Sequence, residues 1–192
     1  MAESPKLLMI VGAATPPGRL AAAVAFAAEA ARGHGAAVDI LNLAETPIEI
    51  CDGRPLEAYN QATRQAVDLI AKAQAVLIAA PVYRASYPGV LKNLLDTTPV
   101  EVLRSKPVGL VAMGGSPHHF LGVDWQLREV LTWFGALLAP TSVYLTGGDF
   151  KDGQLASDGG RNDLAALSET LLSLATLDPK ALGPLPLAAR FT

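Results

Sequence analysis

The stretch that most constrains the fold is Ala75-Val76-Leu77-Ile78-Ala79-Ala80-Pro81-Val82-Tyr83-Arg84. Its six leading apolar residues have no polar face, as expected for a central strand covered on both sides. Pro81 has no N–H to give to a ladder, so the strand is expected to stop there. A helix is expected to begin near Ser86-Tyr87-Pro88, with Ser86 as its cap and Pro88 in its first turn. In an open parallel sheet, ligands bind at the carboxyl ends of the strands. Residues Pro81 to Arg84 stand at such an end, which places a ligand there.

The rest of the chain repeats the pattern. Lys6 to Val11 reads as the first strand, followed by the loop Gly12 to Gly18. Alanine dominates from Arg19 to Arg32, and Leu20, Ala23, Val24, Ala27 and Ala31 fall on one helical face. Gly33 and Gly35 end that helix, and Ala37 to Leu43 is the second strand. An irregular connection, Glu45 to Pro55, leads to a helix marked by Tyr59, Thr63, Ala66, Val67 and Ile70. Beyond the pivotal strand, Val90, Leu91, Leu94 and Leu95 mark a third helix. Pro107 to Met113 is the fourth strand, ended by Gly114-Gly115-Ser116. A helix from about Leu121 carries the stripe Val123, Leu127, Val130, Leu131 and Phe134, and Thr141 to Leu145 is the fifth strand. Gly147 to Gly160 is polar and is expected to be a mobile loop, and Leu164, Leu167, Leu171 and Leu174 make the last helix. The alternation implies a three-layer α/β sandwich with a five-stranded parallel sheet, in the flavodoxin-like order 2-1-3-4-5. Residues 1–177 read as a single domain, and 178–192 as a Pro-containing tail on the surface or disordered.

Composition narrows the function. The chain of 192 residues is 51% hydrophobic and only 17% charged, which excludes a disordered protein. The net charge of −3 contains no basic cluster, so neither nucleic acid nor an anionic membrane is an expected partner. No apolar run approaches the ~20 residues of a membrane span, and Leu7 to Val11 is too short for a signal-peptide core. The single cysteine, Cys51, fits a reducing, cytoplasmic compartment.

Three loops meet at one edge of such a sheet: Gly12–Arg19, Pro81–Arg84 and Gly114–His118. The first opens a helix directly after a strand, a place whose unpaired N–H groups and dipole favour an anion such as phosphate. It is neither G-x-x-x-x-G-K-[ST] nor G-x-G-x-x-G, so nucleoside triphosphate chemistry is not expected. Thr15 offers a hydroxyl and Arg19 a charge; a tight turn stiffened by prolines is the plainer alternative. At Pro81–Arg84, backbone N–H groups suit the polar edge of a flat ring, and Tyr83 either stacks on it or packs over the sheet edge. Gly114-Gly115 either lets a ligand approach the backbone or serves as a turn.

Pro81-Val82-Tyr83 followed by Pro88-Gly89-Val90-Leu91-Lys92-Asn93-Leu94-Leu95-Asp96 resembles the signature of the NADPH-dependent FMN reductase family. Cys51-Asp52-Gly53-Arg54-Pro55, and Gly114-Gly115-Ser116 through Leu131, fit the same pattern, so the resemblance spans Leu7 to Phe150. Within the family the likeness is to reductases that supply reduced flavin to two-component monooxygenases. The resemblance implies FMN as cofactor or substrate, NADPH or NADH as hydride donor, and a homodimer or homotetramer. It maps flavin contacts onto Gly12, Thr15, Pro17, Gly18, Arg19 and Leu20, onto Pro81, Val82, Tyr83 and Arg84, and onto Gly114, Gly115 and Ser116. The departure is in the phosphate loop, where the family has Gly-Ser-x-Arg and a further Ser. This chain has Gly12-Ala13-Ala14-Thr15 and then Gly18, so side-chain phosphate partners are missing although Arg19 remains. Weak FMN retention, or retention through backbone N–H groups, is expected. The implied chemistry is hydride transfer from nicotinamide C4 to flavin N5, with no catalytic side-chain acid or base. Rival readings are a reductase that keeps FMN and reduces a quinone, azo compound or metal oxyanion, and a non-enzymatic flavodoxin-like carrier. Arg84 is either a contact for the NAD(P)H phosphates or a solvated loop charge.

Other residues take plainer readings. Trp125 lies about 200° from Val123 on its helix, beside Leu121, which suggests a subunit interface; the plainer alternative is a partly exposed Trp against a neighbouring loop, and the resemblance puts this helix at both the flavin end and the oligomer contact. His118 and His119 diverge and read as a solvated loop; no metal set is evident there or at Glu45, Glu49 and Asp52. Lys92 and Asp96 are spaced to pair, and Cys51 reads as an unreactive thiol.

Overall fold

The computed structural model describes residues 4–178 and 182–184. Of the sequence-predicted tail 178–192, only residues 178 and 182–184 are among the described residues, and the rest lies outside them.

Five strand positions form one parallel sheet. β1 (Lys6–Val11) pairs with β2 (Ala37–Asn42) on one side and with β3 (Ala75–Pro81) on the other. β3 pairs with β4 (Pro107–Gly114), and β4 pairs with the last position, giving the expected order 2-1-3-4-5. That last position differs from the continuous strand Thr141 to Leu145 that the sequence suggests. It is split into β5 (Leu137–Leu138) and β6 (Val143–Thr146), both parallel to β4. Pro140 lies in the gap and cannot donate to a ladder. Arg128 covers the interruption from outside: its guanidinium donates to Ala139 O at 3.0 Å while its Nε pairs with Asp124 at 2.9 Å.

Strand alternation sends side chains into two cores. Leu7, Met9 and Val11 of β1 and Leu77 and Ala79 of β3 face α1 (Arg19–Gly33) and α6 (Asp158–Leu174). Leu8, Ile10, Val76, Ile78 and Ala80 face α2 (Gln61–Lys72), α3 (Gly89–Thr97) and α5 (Phe120–Phe134). This is why β3 has no polar face; each fully buried aliphatic side chain is worth ~1.5–3 kcal/mol relative to exposure. The alanine face of α1 lets α6 come close: Ser168 Oγ stands 3.4 Å from Ala27 O, with Ser168 fully buried. Gly109 serves the same purpose in β4, where a Cβ would lie 3.0 Å from both Leu167 and Leu171.

Two helix starts, one additional short helix and one loop differ from the sequence reading. Tyr59 precedes α2, which begins at Gln61 under an Asn60 cap accepting from Thr63 N–H at 2.7 Å. Ser86 does not cap α3; Pro88 holds the N-cap position, and the Ser86 hydroxyl bonds Gln126 instead. A short helix, α4 (Val100–Leu103), follows α3. Residues 147–160 are not a loose loop. They contain a 3-10 turn, Gly147–Asp149, and a hairpin of β7 (Phe150–Lys151) and β8 (Gln154–Leu155). They then enter α6 through a Ser157 cap that accepts from Gly160 N–H at 3.1 Å. No described helix is long and apolar enough to cross a membrane.

Candidate functional site

The carboxyl ends of β1, β3 and β4 open onto one edge of the sheet. At β1, Gly12 donates its N–H to Ala79 O at 2.7 Å. A Cβ there would stand 2.9 Å from Leu91 Cδ2 and 3.0 Å from Ala79 O. Glycine at this position is dictated by the junction of β1, β3 and α3, so Gly12 sits at the site without offering it a donor.

The loop that follows is exposed and leads into α1 without a side-chain cap or an acidic residue in the first turn. The first helical bond runs from Ala22 N–H to Gly18 O at 2.9 Å. The N–H groups of Arg19, Leu20 and Ala21 therefore have no acceptor within the helix. Arg19 adds a cation at the positive end of the dipole, which costs ~0.3–1 kcal/mol unless an anion is bound. Its guanidinium has no hydrogen bond or ion pair among the described residues. It lies against the turn after β6, with Nη1 3.2 Å from where a Cβ at Gly147 would be. Thr15, Pro17, Gly18, Arg19, Leu20 and Pro81 come together, with Val11, Ala13 and Met113, around a cavity of about 240 Å³.

Immediately beyond Pro81, the chain makes a tight turn. Tyr83 N–H donates to Ser86 O at 2.7 Å and Ser86 N–H to Tyr83 O at 3.0 Å. Arg84 and Ala85 between them have φ of 51° and 61°. Positive φ at both central positions is the I′ geometry that normally recruits Asn-Gly, and without glycine it costs ~1–2 kcal/mol per residue. Val82 N–H donates to Met113 O at 2.8 Å, so Val82, Tyr83 and Ser86 have committed their N–H groups and only the turn tip, Arg84 and Ala85, keeps its own. This narrows the sequence expectation of a row of donors at Pro81–Arg84. Tyr83 is 47% exposed, neither stacked nor buried, and with Val82 and Arg84 it frames an open recess.

Gly114 also has a packing cause. A Cβ there would lie 1.9 Å from the Tyr144 hydroxyl. Tyr144 on β6 crosses above Gly114 and donates to Ser116 O at 2.7 Å, and burial raises the pKa of its hydroxyl. Gly115 has open space where a Cβ would be. Tyr144 was missed in the sequence; the available signal was an aromatic residue level with the glycines of the neighbouring strand, through the register Ala112↔Tyr144 and Gly114↔Thr146.

Much of the rest of the motif is structural. Asn93 donates to Glu49 O and accepts from Cys51 N–H, both at 2.8 Å, tying the 49–51 segment to α3. Lys92 pairs with Asp96 as its spacing suggests. The half-buried Cys51 thiol donates to Asp96 O at 3.4 Å. His118 and His119 are exposed in a 3-10 turn before α5. Behind the site, burial raises the Asp149 carboxyl, but hydrogen bonds from Thr146 N–H, the Ser157 hydroxyl and the Thr146 hydroxyl outweigh it and hold the group below its ordinary value. Trp125 and Trp133 on α5 are 67% and 63% exposed; the Leu121 side chain, grouped with Trp125 in the sequence, lies outside the described residues.

The model of the NADPH-dependent FMN reductase family matches residues 5–150. The chain is 37% identical over 107 residues to an NAD(P)H-dependent FAD/FMN reductase of Geobacillus thermodenitrificans, covering 56% of this chain and 58% of that protein. It is 44% identical over 128 residues to the NADH-dependent FMN reductase SfnF of Pseudomonas fluorescens, covering 67% of this chain and 60% of that one. The chain thus spans less than two thirds of the length of these relatives. A solved NADH:FMN oxidoreductase (EMOB) in its apo form superposes with a TM-score of 0.76 and 25% identity, over 91% of this chain and 92% of that one. By its matched span, and in keeping with its sheet order, the chain belongs to the NADPH-dependent FMN reductase family.

Proposed function

We propose that the protein is an NAD(P)H-dependent FMN reductase that takes FMN as a weakly held substrate and releases it reduced to a flavin-dependent monooxygenase. The observation that carries this reading is the start of α1: an uncapped N-terminus bearing Arg19, with no anionic partner for it among the described residues, on a cavity at the strand ends. That donor set fits a phosphate monoester, with Arg19 and the first-turn N–H groups as its partners and the exposed Thr15 hydroxyl beside them. The flavin ring supplies the hydride-accepting chemistry when bound. The chain's own part is to bind and orient: the Tyr83–Ser86 turn presents two N–H groups and the Tyr83 ring, and Arg84 offers a charge for the nicotinamide nucleotide's phosphates. No side chain at the site is arranged as a general acid or base, and none is needed for hydride transfer.

The exposed Trp125 and Trp133, two helical turns apart on α5, fit an interface between copies in a homo-oligomer. Binding tests the reading directly. Titrated FMN is expected to be quenched saturably and to wash off on gel filtration, with riboflavin binding weaker for lack of the phosphate. Yellow protein surviving gel filtration points to a bound-flavin reductase instead, and no quenching at all refutes the flavin reading.

A further inference from the structure

We infer that Gln126 and Gly122 of α5 hold the Tyr83–Ser86 turn in its left-handed conformation and are positioning residues for the flavin edge of the site. The inference rests on the FMN reductase reading for what the turn meets, and on geometry alone for what holds the turn.

Arg84 and Ala85 both adopt positive φ although both carry a Cβ. Such a conformation persists only where the surroundings over-determine it. Two features of α5 do so. Gln126 Nε2 donates to Ala85 O at 3.3 Å, and its Oε1 accepts from the Ser86 hydroxyl, so one side chain grips the turn at consecutive residues. Gly122, one helical turn earlier, has no side chain where Ala85 presses in. A Cβ there would stand 3.0 Å from Ala85 O, 3.1 Å from its carbonyl carbon and 3.3 Å from its Cα. A side chain at 122 thus pushes the turn off the helix. The Ser86 hydroxyl, suggested by its position as a helix cap, is spent on this clamp. The clamp fixes Tyr83 and Arg84, whose side chains frame the recess beyond Pro81.

The test compares wild type, Gln126→Met and the double variant Gln126→Met/Ala85→Gly. Gln126 is exposed, and methionine keeps its length and helix propensity, so the fold survives the change. Glycine at 85 favours positive φ without help from Gln126, so it restores the turn if holding the turn is what Gln126 does. Amide hydrogen exchange of Tyr83 and Ser86 is measured without ligand, and FMN affinity by fluorescence quenching. In Gln126→Met, exchange at both amides is expected to rise about 3–10-fold and the FMN Kd to rise by a similar factor, as for loss of one or two modest hydrogen bonds. Both return toward wild type in the double variant. A rescue by Ala85→Gly is not expected if Gln126 merely packs α5. Unchanged exchange in Gln126→Met, or a rise that Ala85→Gly does not reverse, overturns the inference. Exchange that follows the pattern while the FMN Kd stays constant overturns the positioning role. If wild type binds no FMN, the flavin reading and the positioning role fall together, while the exchange pattern still decides whether α5 holds the turn.

Discussion

Replacing Arg19 by glutamine separates a phosphate-binding arginine from a structural one, because the two predict opposite signs. Arg19 has no hydrogen-bond or ion-pair partner among the described residues, so its loss breaks none of the bonds that they make. It stands in the first turn of α1, where the dipole disfavours a cation. Removing the charge should therefore stabilise the ligand-free protein by ~0.3–1 kcal/mol, roughly 1–3 °C in Tm for a chain of this size. With FMN the balance reverses. A charge-assisted bond to phosphate is worth ~1.5–3 kcal/mol, so the FMN Kd should rise on the order of 10- to 150-fold. Riboflavin, which has no phosphate, should bind Arg19→Gln and wild type alike. Thermal melts of the apo protein and parallel FMN and riboflavin titrations check the three signs together. A fall in apo Tm, an unchanged FMN Kd, or a parallel loss of riboflavin affinity refutes the assignment.

Other perturbations follow from the packing. Gly12→Ala should cost about 1–3 kcal/mol by overpacking against Leu91 and Ala79 O, read as a lower urea midpoint. Gly114→Ala should destabilise through its clash with the Tyr144 hydroxyl, and Gly114→Ala/Tyr144→Phe should be more stable than the sum of the single changes predicts; additive losses contradict the clash. The Asp149 carboxyl is held below its ordinary 3.8, so the folded state binds that proton less tightly than the unfolded chain does. Its contribution is therefore complete above that value and lost as pH falls through the lower folded one. Asp149→Asn should flatten the decline of the urea midpoint below about pH 4, and an unchanged acid limb contradicts the capping role.

The sheet order was legible because β3 reads as a run without a polar face and the helices between strands carry clean apolar stripes. The split last strand was not, since only the position of Pro140 against β4 shows that pairing resumes at Val143. Residues 147–160 looked like a mobile loop because their hairpin is two residues a side and their order comes from Asp149 bonding Thr146 and Ser157. At the site, six of the residues singled out in the sequence, Thr15, Pro17, Gly18, Arg19, Leu20 and Pro81, line one cavity. It could not distinguish glycines that admit a ligand from glycines that admit a neighbour. Gly12 yields to Leu91 and Gly114 to Tyr144, and both neighbours come from distant parts of the chain. The left-handed turn was hidden for the same reason: Arg84-Ala85 carries no local signal for positive φ, because α5 imposes it.

If the cavity at the start of α1 takes FMN as a substrate, the rate of NADPH and NADH oxidation by the purified protein depends on free FMN. Oxidation that is negligible without flavin, climbs, and saturates with added FMN is the predicted result. A rate independent of added FMN, or no oxidation of either nicotinamide at any FMN concentration, contradicts it.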